Sequence, residues 1–338
     1  MNKQITIYDI SQEAGVSIAT VSRVLNGSHK VSEKTKEKVL AVIKEMNYEP
    51  NVFARSLGTG SMKTIGIMCD DVSDIYMANA VSILERELRQ NGFNAVLDCT
   101  GSEYENKQSS LKAMETRKVD AVIMVGSHYE ENSPKKRSYI FDFANHTPVM
   151  MINASLRHKN IYCNLSDEFE SFYEATEHLI RTGCRKIVFL YGNDTASKER
   201  KFNGYRKALY DYDFPFDETL VIQSRQKIQF VKNDLEECYH LHPDMDAILA
   251  YNDELGVGAI KFAQDTGLKM PAQLSIIGCN NSVLSICSNP EMSSIDNGGE
   301  ILCINAVDQL MNVLNEGAVP NKTTITGRLV LRDTTRHE

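Results

Sequence analysis

AGVSIATVSRVLNG, residues 14–27, is punctuated as a turn, a capped helix and a stop. Gly15 can take the left-handed backbone that a tight reversal needs. Ser17 is a good N-cap residue for a helix over Ile18 to Leu25. That helix would set Val21, Val24 and Leu25 on one apolar face, and Asn26-Gly27 would end it. Upstream, Thr6-Ile7-Tyr8-Asp9 fits a variant capping box, and Ile7, Ile10 and Ala14 recur at helical spacing. Downstream, Ser32 can cap a third helix, Glu33 to Met46, with Val39, Leu40, Ile43 and Met46 facing inward. Ala14, Gly15 and Val21 supply the small contacts and the turn of a helix-turn-helix. In such a motif the start of the second helix enters the major groove. Ser17, Ala19, Thr20, Ser22 and Arg23 are the exposed candidates there. The two-pronged Arg23 can read guanine, and Ser17, Thr20 and Ser22 can bond phosphate or base edges. An ordinary three-helix core with a polar surface has the same spacing, so spacing alone leaves both readings open.

The distribution of charge adds to this. Residues 1–63 hold nine Lys/Arg against six Asp/Glu, a net +3, leaving −11 on the rest of a chain whose sum is −8. A basic head can approach phosphate while an acidic body is kept off the duplex. The eight cysteines form no CxxC pair, which fits reduced, buried thiols better than zinc ligands or a disulfide framework. MNKQITIYDI has no signal-peptide core and no stretch approaches the ~20 apolar residues of a membrane span, so the expected location is the cytoplasm. A chain of 338 residues has room for two or three domains.

Pro50 and Gly58-Thr59-Gly60-Ser61 separate the head from the rest of the chain. Beyond Lys63 short apolar runs alternate with amphipathic stretches, the pattern of βαβ units. The expected strands are 65–69, 95–98, 121–125 and 149–152, then a second series at 186–190, 220–222, 247–250 and 274–278. Helices are expected over 80–90, 168–181, 203–209, 255–265 and 300–314. Two such series imply two doubly wound lobes with a ligand cleft at the carboxyl ends of the strands. The expected divisions are a head over 1–49, a hinge and linker over 50–62, and a body over 63–338. Lobe 1 would take about 63–163 and 296–322, and lobe 2 about 164–295 and 323–338.

No enzyme emerges. His240-Leu241-His242 lacks a glutamate at metalloprotease spacing, Gly256-Val257-Gly258 lies within a helix, and neither a nucleophile elbow nor a phosphate loop is present. Acidic pairs such as Asp70-Asp71 could bind a metal, but a solvated strand end is the common case. Neither metal nor cofactor is called for.

The head motif, followed by VSEKTKEKVLAVIKEMNYEPNVFARSLGTG, closely resembles the head and hinge of the lactose/galactose repressor family across Thr6 to Gly60. GCRKIVFL, NGYRKAL and YNDELGVGAI resemble the family's body at lower density. The resemblance implies a sequence-specific transcription regulator, a repressor by expectation. It implies a homodimer whose heads bind the halves of a palindromic double-stranded operator, controlled by a small molecule. The fold it implies is an all-α helix-turn-helix head on an α/β, two-lobed body of the type I periplasmic-binding-protein kind with doubly wound parallel sheets. Thr6, Ser17, Ile18, Ala19, Thr20, Ser22, Arg23 and Asn26 are the DNA-contacting positions of the head, with Ile18 and Ala19 discriminating between operators. The hinge, Asn51 to Leu57, is implied to fold on DNA. Leu57 would wedge into the minor groove, Ala54 would allow close approach of paired hinge helices, and Arg55 would reach phosphate.

For the body the resemblance implies effector contacts at Tyr76, Met77, Asn153, Lys201, Asn252 and Asn280. Many members have arginine where Lys201 stands, and sugar-binding members often have aspartate at Asn153 and Asn280. Uncharged amides there, with Lys201 and Arg200 nearby, would admit a sugar phosphate or sugar acid; a neutral sugar bound by amides is the alternative. Some members answer instead to purines or to a phosphocarrier protein. Asp253 is expected to cap the helix that starts at Glu254. With no leucine heptad in the short tail after Arg332, a dimer is expected rather than a tail-stapled tetramer.

Overall fold

The computed structural model describes residues 5–25, 30–48, 61–131, 133–225 and 228–337. It divides into two units, Met1–Lys63 and Thr64–Glu338. The first holds helices α1 (Ile7–Glu13), α2 (Ile18–Leu25) and α3 (Glu33–Glu45). The carboxylate of Asp9 accepts from both the backbone N–H (2.8 Å) and the hydroxyl (2.7 Å) of Thr6, which closes the start of α1. Gly15 takes φ +60° in the turn, and Ser17 and Ser32 cap α2 and α3 by accepting from the N–H groups of Thr20 and Thr35. Ile10, Ala14, Val21, Val24, Val39, Val42 and Tyr48 form one small core. One expected core residue is placed otherwise. Leu40 is 46% exposed, and Val42, three residues after Val39, fills the inward position instead.

The second unit contains two six-stranded sheets. In chain order its elements begin with β1 (Thr64–Cys69), α4 (Ile75–Gln90), β2 (Asn94–Cys99), α5 (Tyr104–Thr116), β3 (Ala121–Val125), α6 (Pro134–Ala144), β4 (Val149–Ile152) and β5 (Ile161–Ser166). Next come α7 (Glu168–Arg181), β6 (Ile187–Tyr191), α8 (Ala196–Asp211), β7 (Val221–Gln223), α9 (Ile228–Leu241), β8 (Ala247–Ala250), α10 (Asp253–Thr266), β9 (Ser275–Cys279) and α11 (Val283–Cys287). The last elements are β10 (Ser293–Asp296), α12 (Gly299–Leu314), β11 (Lys322–Ile325) and β12 (Arg328–Val330). Strand order is β11-β5-β4-β3-β1-β2 in one sheet and β12-β10-β9-β8-β6-β7 in the other. Every pairing is parallel except β10 with β12. β1, β3, β4, β8 and β9 read as near-continuous apolar runs because helices cover both faces. Each sheet accordingly has a core on either side.

The chain changes sheets three times: after Ser166, after Asp296 and after Ile325. The first and third changes fall three residues beyond 163 and 322, where the sequence suggested them. β5 and β11 complete the first sheet before the chain leaves it. In the second lobe α7 and α8 pack closely enough that Gly204 lies against the Phe169 carbonyl, where a Cβ would collide. Among the described residues no helix is long and apolar enough to cross a membrane.

Candidate functional site

In the first unit α2 buries Val21 and Val24. By helical geometry this turns the opposite face outward. Thr6, Ser17, Ile18, Ala19 and Arg23 are exposed, and Thr20 and Ser22 are half-buried. Ile18 is 38% exposed, high for an isoleucine beside a core. The Ser17 and Thr20 hydroxyls bond each other at 2.9 Å, so both are oriented at the start of the helix. Asn26, Asn51, Ala54, Arg55 and Leu57 lie outside the described residues.

In the second unit a cavity of about 550 Å³ opens between the two lobes at the carboxyl ends of their strands. All six effector positions taken from the sequence line it: Tyr76, Met77, Asn153, Lys201, Asn252 and Asn280. The reasons are topological. Tyr76 and Met77 begin α4 just after β1, with Asp74 capping that helix by accepting from Met77 N–H at 3.0 Å. Asn153 follows β4, Asn252 follows β8 and Asn280 follows β9. Asn153 and Asn280 both have positive φ, +56° and +100°, a conformation that asparagine tolerates better than most residues. Each thereby turns the chain sharply off its strand.

The amide oxygens of all three asparagines are engaged by the protein. Asn153 Oδ1 accepts from Ser166 N–H at 3.0 Å, and its Nδ2 donates to the Tyr76 hydroxyl at 2.8 Å. Asn252 Oδ1 accepts from Leu255 N–H and so caps α10. Asn280 Oδ1 accepts from Asn297 Nδ2 at 2.8 Å. The side chains are therefore held in place, and the amide N–H groups of Asn252 and Asn280 are the atoms left to meet a ligand.

Asp253 does not cap α10; Asn252 holds that position. Asp253 is buried and accepts from Ser282 N–H (2.6 Å), Ser282 Oγ (2.7 Å) and Ser294 Oγ (2.6 Å), tying α10 to β10 and to the start of α11. Burial pushes its carboxyl up, and these hydrogen bonds oppose the shift.

The two cations expected to receive an anion are already compensated. Lys201 is only 3% exposed. Its ammonium donates to the Tyr251 carbonyl at 3.0 Å, lies 3.8 Å from the Tyr251 ring centroid and sits 3.6 Å from Glu168. Burial alone would pull this amine down, but its partners hold it above the usual lysine range. Arg200 pairs with Glu168 at 2.8 Å and Glu130 at 2.9 Å. Glu168, at the start of α7, is the counterion that sequence reasoning missed, because an acid there looks like routine helix-dipole chemistry. Its other carboxylate oxygen accepts from the Ser197 hydroxyl.

Overall the cavity wall is acidic. Asp70, Asp71, Asp74, Glu168 and Glu254 line it against Lys201 and Arg225. Asp70-Asp71, read from the sequence as a solvated strand end, belongs to this wall. His128 also lines it. Burial pulls its imidazole below the ordinary value, nearby Lys107 adds to this, and Asp70 opposes it. Both of its ring nitrogens are out of solvent and make no hydrogen bond among the described residues, although Nε2 lies 3.5 Å from Asp70. Gly126, two residues earlier, has φ +109°, and a Cβ there would fall 2.7 Å from the Met77 methyl. Among the described residues no group of three or more His, Cys, Asp or Glu is placed to hold a metal.

Residues 62–333 match the model described as periplasmic binding proteins and sugar binding domain of the LacI family, and residues 6–51 match bacterial regulatory proteins of the lacI family. An HTH-type transcriptional regulator of Lachnoclostridium phytofermentans is 48% identical over 329 residues, covering 97% of this chain and 99% of its own. The regulator DegA of Bacillus subtilis is 30% identical over 291 residues, 86% of each chain. Among solved structures, the Lac repressor dimer bound to operator and the anti-inducer ONPF superposes with a TM-score of 0.88 at 24% identity, covering 98% of this chain and 99% of that one.

Proposed function

The chain belongs to the LacI family of bacterial regulatory proteins, as a DNA-binding transcription regulator and not an enzyme, and we propose that it is a dimeric repressor released or engaged by a small polyhydroxylated ligand without negative charge. The α2 face from Ser17 to Arg23 is the reading surface. Ile18 and Ala19 have no side-chain donor, so they select by apolar contact with thymine methyls, while Arg23 and the Ser17–Thr20 hydroxyls supply polar contacts. Asn51, Ala54, Arg55 and Leu57 complete this surface in the minor groove of a palindromic operator. Two heads on one dimer bind both half-sites when the spacing between them matches.

The observation that carries the ligand assignment is that Lys201 in the cavity wall, and Arg200 beside it in sequence, are already paired with carboxylates, while five acids line the cavity against Lys201 and Arg225. A sugar phosphate or sugar acid would have to displace Glu168 from Lys201, or pair with the exposed Arg225 against the carboxylates of Asp70 and Asp71. A neutral sugar meets amide N–H donors from Asn252 and Asn280 and carboxylate acceptors on the facing wall, which together suit hydroxyl groups. A ligand that prefers one lobe separation shifts the equilibrium between separations only by its differential affinity, and the two heads follow that spacing. Titration calorimetry with hexoses, disaccharides and their phosphates tests this. Binding of a neutral sugar with the phosphate at least about tenfold weaker, a difference of about 1.4 kcal/mol, is expected. Preference for the phosphate overturns the assignment. A mobility shift on palindromic DNA, with and without the sugar that binds, tests the link to operator affinity.

A further inference from the structure

The ion pairs within the second unit mostly join residues of one lobe, but one crosses the cleft. Arg200 lies on α8 in the second lobe. Its Nη1 donates to Glu130 Oε2 at 2.9 Å, and its Nη2 donates to the Asn153 carbonyl at 3.3 Å. Glu130 directly follows the 3₁₀ turn Ser127–Tyr129 after β3, and Asn153 directly follows β4. Both belong to the first lobe. Among the described ion pairs, Arg200–Glu130 is the one that spans the two lobes.

Each end of this bridge is braced. On the second-lobe side, Arg200 Nε is held by Glu168 at 2.8 Å, so the guanidinium is aimed before it reaches across. On the first-lobe side, Glu130 Oε2 also accepts from Ser155 N–H at 3.1 Å. The Asn153 carbonyl is fixed because that residue's own amide is bonded to Ser166 N–H and the Tyr76 hydroxyl. The guanidinium therefore spends three of its donors on three fixed acceptors, two of them across the cleft. The bridge also adjoins the cavity on both sides. Ser127 and His128 precede Glu130, Lys201 follows Arg200, and Ser197 lies one helical turn before Lys201; all four line the cavity.

We infer that Arg200 is a positioning residue: with Glu130 and the Asn153 carbonyl it latches the two lobes at this separation. Its partners in the first lobe are polar and close to the cavity mouth, so the latch can open without exposing an apolar core. An effector then works with or against a defined starting separation rather than a loose distribution. The latch is the same whichever ligand the cavity takes.

The chain supplies its own probes for a test. Cys99 of the first lobe and Cys287 of the second are exposed, and the other six cysteines are buried. Nitroxides on these two, in full-length protein diluted with excess unlabelled chain, report the lobe separation by double electron–electron resonance without any ligand. Wild type is expected to give one dominant distance. E130Q and R200M are expected to broaden it and add a longer component, with the latched-to-open ratio falling about tenfold. E131Q removes the neighbouring carboxylate, which pairs with Lys107 inside the first lobe at 3.1 Å, and it is expected to leave the distance where it is. If E130Q, the milder change, superposes on wild type, or if E131Q opens the lobes as far as E130Q, the latch is wrong. R200M is read only alongside a thermal melt showing that it is folded, and E130Q keeps the test decisive if it is not.

Discussion

Replacing Lys201 by methionine separates a structural cation from an open anion site. In the folded chain the ammonium donates to the Tyr251 carbonyl at 3.0 Å, stacks on the Tyr251 ring and faces Glu168 at 3.6 Å. A hydrogen bond from a charged donor contributes about 1.5–3 kcal/mol, and a desolvated cation–π contact about 2 kcal/mol. Methionine recovers part of this, because it fills similar space and needs no desolvation of a charge. Glu168 also keeps Arg200 and Ser197 as partners. The expected loss is about 3 kcal/mol. At about 2–4 °C per kcal/mol for a body of this size, that lowers the melting temperature by roughly 6–12 °C. Because the pair is buried, the loss should change little with salt. The assay is calorimetric melting of wild type, K201M and K201R at low and high ionic strength. K201M melting within about 2 °C of wild type while losing affinity for sugar phosphates would refute the reasoning, since it would mark Lys201 as an uncommitted anion receptor.

Three further perturbations have defined outcomes. Ile18→Ala should change which operator is preferred more than overall affinity, measured by titrating variant half-sites at fixed salt; an equal loss on every sequence would count against apolar readout. Gly204→Ala puts a methyl into the Phe169 carbonyl where α7 and α8 touch, and should cost about 3 kcal/mol in chemical unfolding; a neutral result would mean the helices separate easily. The imidazole of His128 is held below its ordinary value chiefly by burial, so the unfolded chain takes up that proton more readily than the folded one. Its contribution to stability is therefore complete above the unfolded value, about 6.5, and is lost as pH falls towards the folded value. His128→Asn should flatten the fall in melting temperature between about pH 7 and pH 5, and an unchanged slope would show that other groups set it.

The head was legible residue by residue because its signals are local. Thr6 with Asp9, Gly15, Ser17 and Ser32 each act within one turn, and all four appear where spacing set them. Leu40 was misplaced because helical periodicity leaves the edge of the apolar stripe undefined by about one position, and only packing against α1 and α2 selects Val42. In the body, strands with continuous apolar runs were visible, such as Ala121–Val125 and Ala247–Ala250. β5, β10, β11 and β12 were not, since they carry polar residues such as Asn164, Ser293 and Thr323 whose partners come from distant parts of the chain. The helices α5, α6, α9 and α11 were not named from the sequence either, α5 and α6 having weakly amphipathic sequences.

By its order of residues alone, this chain declared a three-helix head, two βαβ series and the loops that border a cleft, because capping, turns and periodicity are short-range properties. The family resemblance then pointed to six cleft positions, and all six line one cavity. The charge of that cavity could not be read in the same way. Lys201 and Arg200 look like free cations in one dimension. Folding brings Glu168, 32 and 33 residues earlier, and Glu130, 70 residues earlier, against them. A charge in a cleft depends on its neighbours in space, and those neighbours are set by where the chain crosses between sheets. That is why we propose a neutral ligand where the sequence suggested an anion: Lys201 and Arg200 are already paired, and most of the charged side chains lining the cavity are acidic.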